Sequence, residues 1–279
     1  PYWVSYTDMV ILAEGLPIII STKQENLFKL KPSDLKNKIN KNTKWLILNS
    51  PSNPTGSCYT AQELQELGQV LINFPHVNVI SDDIYEKVTY NQFKFTTIAE
   101  VCPELRNRTL TVNGVSKAYS MTGWRIGFAG GPDYLIKAMA KIQSQSTSNP
   151  TSISQYAALE ALCSSQDFII ENNKIFLNRR NIILDYINKS PGLNCVTPHG
   201  AFYIFPSCKE TFGKKSYKGF LIKDSTSFCE FLLEEAGVAA VPGVAFGMND
   251  FFRISYATSE KNLIEAGKRI KRACDSLLL

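Results

Sequence analysis

The chain has 279 residues, 44% of them hydrophobic and 20% charged, with a formal net charge of +5. That length supports one large domain with a smaller one, or two of ordinary size, each around its own core. No apolar run approaches the roughly 18 residues of a membrane span, and the cations are interspersed with acids, so membrane and nucleic acid are poor partners and anionic small molecules fit better.

The cysteines at 58, 102, 163, 195, 208, 229 and 274 are odd in number and contain no CxxC pair. This argues against a disulfide framework or a zinc site and favours a reducing, cytoplasmic setting. His76 and His199 lack partners at ligand spacing, so no metal is expected.

In chain order, Pro17 to Ser21, Trp45 to Asn49, Val77 to Ser81, Thr109 to Asn113 and Arg125 to Ala129 read as strands. Thr60 and Glu63 form a capping box opening a helix with Leu64, Leu67, Val70 and Leu71 at helical spacing. A helix between strands of this kind predicts an α/β domain with a mostly parallel sheet. Helices follow at about Pro132 to Gln145 and Ser154 to Cys163, and a long bridging one runs from Asp167 towards Ile187.

Beyond it the pattern becomes α+β, with a strand around Ala201 to Phe205, a helix around Ser227 to Glu235, a strand at Phe251 to Tyr256 and a closing helix from Ser259. The Lys-, Gly- and Ser-rich stretch Cys208 to Ser225 reads as an exposed loop or insertion, and the basic stretch Lys268 to Arg272 as a solvated helix end. The expected division is a large α/β domain over 1–166 and a smaller α+β domain over 167–279.

Ligands of open α/β sheets bind beyond the carboxyl ends of the strands. Three polar groups follow strand runs there: the stretch from Ser50 to Gly56 containing Asn53, then Asp82 with Tyr85, then Ser116 with Lys117. Amino-group transfer by pyridoxal phosphate needs a lysine for the Schiff base, a carboxylate to keep the pyridine nitrogen protonated, and donors for ring oxygen and phosphate. Lys117, Asp82, Asn53 with Tyr85, and Ser116 with Arg125 can supply these. Arg253, inside the apolar run of residues 251–257, can hold a substrate carboxylate through a bidentate fork.

Each residue also has a plainer reading. Lys117 alone could be a solvated surface group, Asp82 a helix N-cap, and Asn53 to Gly56 a turn. Arg125 and Arg253 could be structural ion-pair partners, but an arginine in an apolar strand is costly to bury without an anion. Cys58 has no nearby histidine and reads as a packing residue.

The stretch from Gly114 to Gly127, GVSKAYSMTGWRIG, resembles the cofactor-attachment signature of the pyridoxal-phosphate-dependent class I/II aminotransferases. Asn53-Pro54-Thr55-Gly56, the Asp82 to Tyr85 spacing and the Arg253 strand occur in that family's order, so the resemblance spans essentially the whole chain. Residues 1–6 and 253–259 further resemble the bacterial-type aspartate (aspartate/prephenate) branch.

The resemblance implies transferase fold type I, with a PLP-binding domain over 1–166, and a homodimer. The implied reaction is ping-pong transfer from aspartate to 2-oxoglutarate through Lys117, with 2-oxo acids and amino acids as substrates. It also implies that Trp3 stacks on the cofactor ring and touches substrate, and that Asn53 and Arg253 hold the substrate α-carboxylate. Upstream family segments supply a phosphate loop and a residue for the neighbouring subunit's site, contributions expected to lie outside this chain. Gly114 stands where some relatives have a phosphate-binding serine. Aromatic or broad-specificity aminotransferases, carbon–sulfur lyases and non-catalytic cofactor-sensing modules of the same fold are the alternatives.

Overall fold

The structure is a computed structural model and describes residues 1–278. The chain forms two compact units that are discontinuous in sequence: Lys29–Pro51 with Cys58–Asn173, and Pro1–Phe28 with Ser52–Ser57 and the chain from Lys174 onward. Gln166 lies within the first of these, and the border falls inside the helix Asp167–Asn188.

The unit containing residues 58–173 is built on a four-stranded sheet of β1 (Trp45–Asn49), β2 (Asn78–Asp82), β3 (Thr109–Gly114) and β4 (Gly127–Gly130), in that order. β1, β2 and β3 run parallel, while β4 pairs antiparallel with β3. The register sets Asn49 beside Asp82 and Asp82 beside Val112, so the carboxyl ends of the parallel strands lie level.

The crossover helix Ala61–Ile72 starts at the expected capping box: Thr60 Oγ1 accepts from Glu63 N, and Glu63 Oε2 accepts from Thr60 N. It buries Leu64, Leu67, Gly68 and Leu71, one stripe at helical spacing. Gly68 is needed there because a Cβ would lie 2.2 Å from Cys102 Sγ. Arg108 donates to the carbonyls of Leu71, Phe74 and Val77, satisfying oxygens at and beyond this helix's C-terminus. Helices Asp133–Ser146 and Ser152–Cys163 follow.

The other unit contains a three-stranded antiparallel sheet in the order β5 (Tyr203–Ile204), β7 (Phe252–Ser255), β6 (Val241–Pro242). Helix Ser225–Ala236 is capped by Asp224 and stopped by Gly237 in the left-handed region at φ 62°. Helix Glu260–Asp275 is capped by Ser259 and buries Leu263, Gly267, Ile270 and Cys274. Phe28, Phe205, Phe246 and Phe251 form a buried cluster, with the rings of Phe28 and Phe251 5.2 Å apart. This cluster is why the beginning of the chain groups with its end.

Several expectations need correction. Pro17 to Ser21 forms no strand: Leu16, Ile18 and Ile19 are exposed, and an apolar run without a neighbouring strand has no ladder to join. Arg125 precedes β4 instead of lying in a strand. The stretch from Cys208 to Ser225 is not an exposed loop throughout. Cys208, Thr211, Ser216, Ile222 and Ser225 are buried, and bridges from Lys215 to Leu221 and to Leu278 tie the stretch down. Helices Ser5–Leu12 and Pro32–Lys38 and strand β6 are additions to the sequence reading.

Candidate active site

In the β1–β4 unit, Asp82 closes β2, and its backbone oxygen accepts from Asn49 Nδ2 at 2.9 Å and from Ser50 N at 3.3 Å. Its side-chain Oδ1 accepts from Ile84 N at 3.2 Å, which holds the carboxylate at the start of the turn leading to Tyr85. The Tyr85 side chain is buried, and Lys117 Nζ lies 5.9 Å from the centre of its ring. Lys117 and Ser116 sit half-buried in the turn that follows β3, beside the strand that delivers Asp82. The structure therefore brings an amine, a carboxylate and a phenol to one edge of one sheet.

Arg125 is exposed, with its backbone in the left-handed region at φ 49° and its Nη1 bonded to Thr122 O at 2.8 Å. Its exposed guanidinium is therefore not the buried ion-pair partner that an arginine inside an apolar strand would have required. At Gly114 an added Cβ would meet Gly127 Cα, Ile126 O and the Ile84 side chain, each at 3.2 Å. The close pairing of β3 with β4 explains a glycine at this position.

Asp83 escaped the sequence reading because two adjacent aspartates look alike on paper. It is 3% exposed and accepts a 2.8 Å bond from Ser81 Oγ, which also lies 3.2 Å from Thr97 Oγ1. Burial pushes its carboxyl up to about 6, helped by the charges of Glu86 and Asp82 and opposed by the Ser81 and Thr97 hydroxyls. Cys58 is buried and its thiol is raised to about 12 by that burial, so it is a packing residue with little thiolate.

In the unit built on β5–β7, Asn53 is buried in the turn Ser52–Ser57 and its Oδ1 accepts from Arg253 Nη1 at 2.9 Å. The Arg253 guanidinium lies between two aromatic rings, 4.5 Å from the centre of Tyr203 and 4.8 Å from that of Phe246. Such flanking shields the cation from water and fixes its plane, which strengthens a bidentate grip on a carboxylate. Gly56, at φ +66°, closes the turn: its oxygen accepts from His199 N and Gly200 N at 3.0 and 2.9 Å. Trp3 is half-buried and meets Tyr6 edge-on at 5.4 Å.

Among the described residues no group of histidine, cysteine, aspartate and glutamate is arranged to hold a metal ion, and all seven cysteines are free. No described helix is long and apolar enough to cross a membrane.

Residues 1–270 match the sequence profile of aminotransferase class I and II. The chain belongs to this family. A probable aspartate/prephenate aminotransferase of Rickettsia felis is 54% identical over 277 residues, covering 99% of this chain and 68% of the relative. The crystal structure of the aspartate aminotransferase from Rhizobium meliloti superposes with a TM-score of 0.97 at 52% identity, over 100% of this chain and 70% of that one. An aromatic aminotransferase from Pyrococcus horikoshii has a TM-score of 0.90 at 39% identity, covering 98% of this chain and 70% of its own.

The protein is thus an α/β aminotransferase of a pyridoxal-phosphate-dependent family, as its motifs implied. The donor set suits that cofactor: a lysine amine for its aldehyde, an aspartate for its ring nitrogen, a buried phenol for its ring oxygen, and an exposed arginine for its phosphate.

Proposed function

We propose that this aminotransferase moves the amino group of aspartate to 2-oxoglutarate in two half-reactions, with pyridoxal 5'-phosphate held covalently by Lys117. The observation that carries the reading is the Lys117 amine 5.9 Å from the centre of the Tyr85 ring, in the turn after the strand that pairs with the one Asp82 ends. The relatives' names support aspartate as donor; the likeness to an aromatic aminotransferase makes an aromatic donor the second reading.

When bound, the cofactor supplies an electron sink for the pair left when the substrate Cα–H bond breaks. Asp82 keeps that sink effective by holding a proton on the pyridine nitrogen through charge pairing. With the cofactor bound, Tyr85 would donate to its ring oxygen and Ser116 and Arg125 would hold its phosphate, and the family resemblance assigns Asn53 to the ring oxygen and Trp3 to the ring. The Arg253 fork grips the substrate α-carboxylate, with Asn53 orienting it through their 2.9 Å bond. Lys117 Nζ, once free, takes the Cα proton and returns it, a general base fixed by its turn after β3.

A homodimer in the cytoplasm completes the reading. The dimer, though not the location, is supported by the apolar side chains that helices Asp133–Ser146 and Ser152–Cys163 leave exposed, among them Ile142, Ile153, Tyr156 and Leu159. Visible absorbance spectra of the protein with pyridoxal phosphate, before and after adding aspartate, test the function. A band that requires Lys117 and is bleached by aspartate is expected. A Lys117→Ala variant that keeps the same band would refute the assignment, and bleaching by phenylalanine alone would favour the second reading.

A further inference from the structure

We infer that Arg180 is a positioning residue for the substrate-carboxylate pair Asn53 and Arg253, acting through the loop of residues 198–203. The inference rests on the assignment of that pair to the substrate carboxylate made above.

Arg180 lies in the helix Asp167–Asn188 with only 4% of its surface exposed. A guanidinium in such a place needs strong bonds to offset its lost hydration. Its Nη1 donates to Pro198 O at 2.8 Å, and its Nε and Nη2 donate to Asn181 Oδ1 at 3.1 and 2.8 Å. Phe176, one helical turn earlier, stacks on Phe202 with ring centres 5.5 Å apart. One face of this helix therefore holds the loop at two points.

Tyr256 holds the same loop from β7's end. Its hydroxyl donates to Ala201 O at 3.1 Å and its backbone N–H to Phe202 O at 2.9 Å. Between these anchors Ala201 adopts a left-handed backbone, φ 55°, a conformation that a residue with a Cβ keeps only when its surroundings enforce it.

What the loop touches gives the anchoring its purpose. His199 and Gly200 donate their N–H groups to Gly56 O, and a Cβ at Gly56 would fall 2.5 Å from Pro198 Cβ and 2.6 Å from Gly200 O. Gly56 in turn donates to Ser52 O at 2.8 Å, closing the turn that carries Asn53. At the loop's other end Tyr203 supplies the ring 4.5 Å from the Arg253 guanidinium. Both members of the carboxylate pair are thus placed by a loop whose first carbonyl is fixed by Arg180. The Lys117, Asp82 and Tyr85 group belongs to the other compact unit, so loosening the loop should act mainly on substrate and reach the cofactor only through Asn53.

The experiment compares Arg180→Met and Arg180→Lys with the parent protein, loaded with pyridoxal phosphate. Readouts are the dissociation constant for maleate, a non-reacting dicarboxylate, the KM and kcat with aspartate, and the dissociation constant for pyridoxal phosphate. Loss of uniform carboxylate binding should weaken maleate and raise KM by about tenfold or more, with kcat changed by less, and with cofactor affinity, to which only Asn53 of the pair contributes, lowered by less than maleate affinity. Arg180→Lys, which can still reach a carbonyl, should lie between. A folded Arg180→Met variant with unaltered maleate binding overturns the inference, as does a loss confined to cofactor affinity.

If Arg180→Met does not fold, Tyr256→Phe removes a single hydroxyl that anchors the same loop and should also raise the maleate constant; no change there overturns the inference too. Asn53→Ala and Arg253→Met separate the two claims. If they leave maleate binding intact, the carboxylate assignment itself fails, whereas a loss in them without one in the Arg180 variants removes only the positioning role.

Discussion

Replacing Asp83 with asparagine should make this protein more stable at neutral pH and flatten its response to acid. The carboxyl is 3% exposed and its folded-state value is raised from 3.8 to about 6, with burial the largest cause. The folded state therefore prefers the protonated form. Below pH about 4 both folded and unfolded chains hold the proton, and burial costs nothing extra. Between about 4 and 6 the unfolded chain releases its proton while the folded chain keeps it, so stability falls as pH rises. Above about 6 both are ionised and the full penalty is present, on the order of 3 kcal/mol for a displacement of about two units.

An asparagine retains an oxygen to accept from Ser81 Oγ and carries no charge to face Glu86 and Asp82. Urea denaturation of parent and variant from pH 4 to 8 measures the difference. The variant should gain roughly 1–3 kcal/mol at pH 8, with the gain shrinking towards zero near pH 4. A difference that stays constant over that range, or grows as pH falls, would refute the buried-carboxyl argument.

Two further substitutions test the packing that presents the site. Thr60→Ala removes the acceptor for Glu63 N and should lower stability by about 1 kcal/mol in the same denaturation experiment. Phe205→Ala empties the centre of the Phe28, Phe246 and Phe251 cluster and should cost about 3–5 kcal/mol, read as a lowered thermal midpoint.

Sequence patterns served best where structure is decided by neighbours along the chain. The capping box at Thr60 and Glu63, the strands around Trp45, Val79 and Thr109, and the helix opened by Ser259 all follow from local periodicity and end chemistry. Pro17 to Ser21 shows the limit of that reasoning, since an apolar run becomes a strand only if another strand lies alongside. The stretch from Cys208 to Ser225 shows the converse. Polar composition suggested an exposed loop, but buried Thr211, Ser216 and Ser225 find hydrogen-bond partners within the fold.

The candidate site divides in the same way. Lys117, Asp82, Tyr85 and Asn53 stand in short motifs at or just beyond strand ends, and Arg253 inside an apolar strand, so the sequence could offer them as candidates one by one. Arg180 and the Pro198 to Tyr203 loop could not, because their contribution is a pairing between distant parts of the chain. Arg253 and Asn53 are 200 positions apart and meet at 2.9 Å, while the loop that steadies them bonds to Gly56 and to a helix. Nothing in the residue pattern around Arg180 distinguishes it from its neighbour Arg179. The distinction arises only on folding, when Arg180 turns towards Pro198 O and Arg179 towards the ring of Phe176. Groups that touch a ligand carry a recognisable chemical type, whereas groups that hold those in place need only a shape and a hydrogen bond that many residues could provide. A supporting role therefore becomes visible from contacts, and it is the maleate constant of the Arg180 variants that measures how much of the substrate grip depends on it.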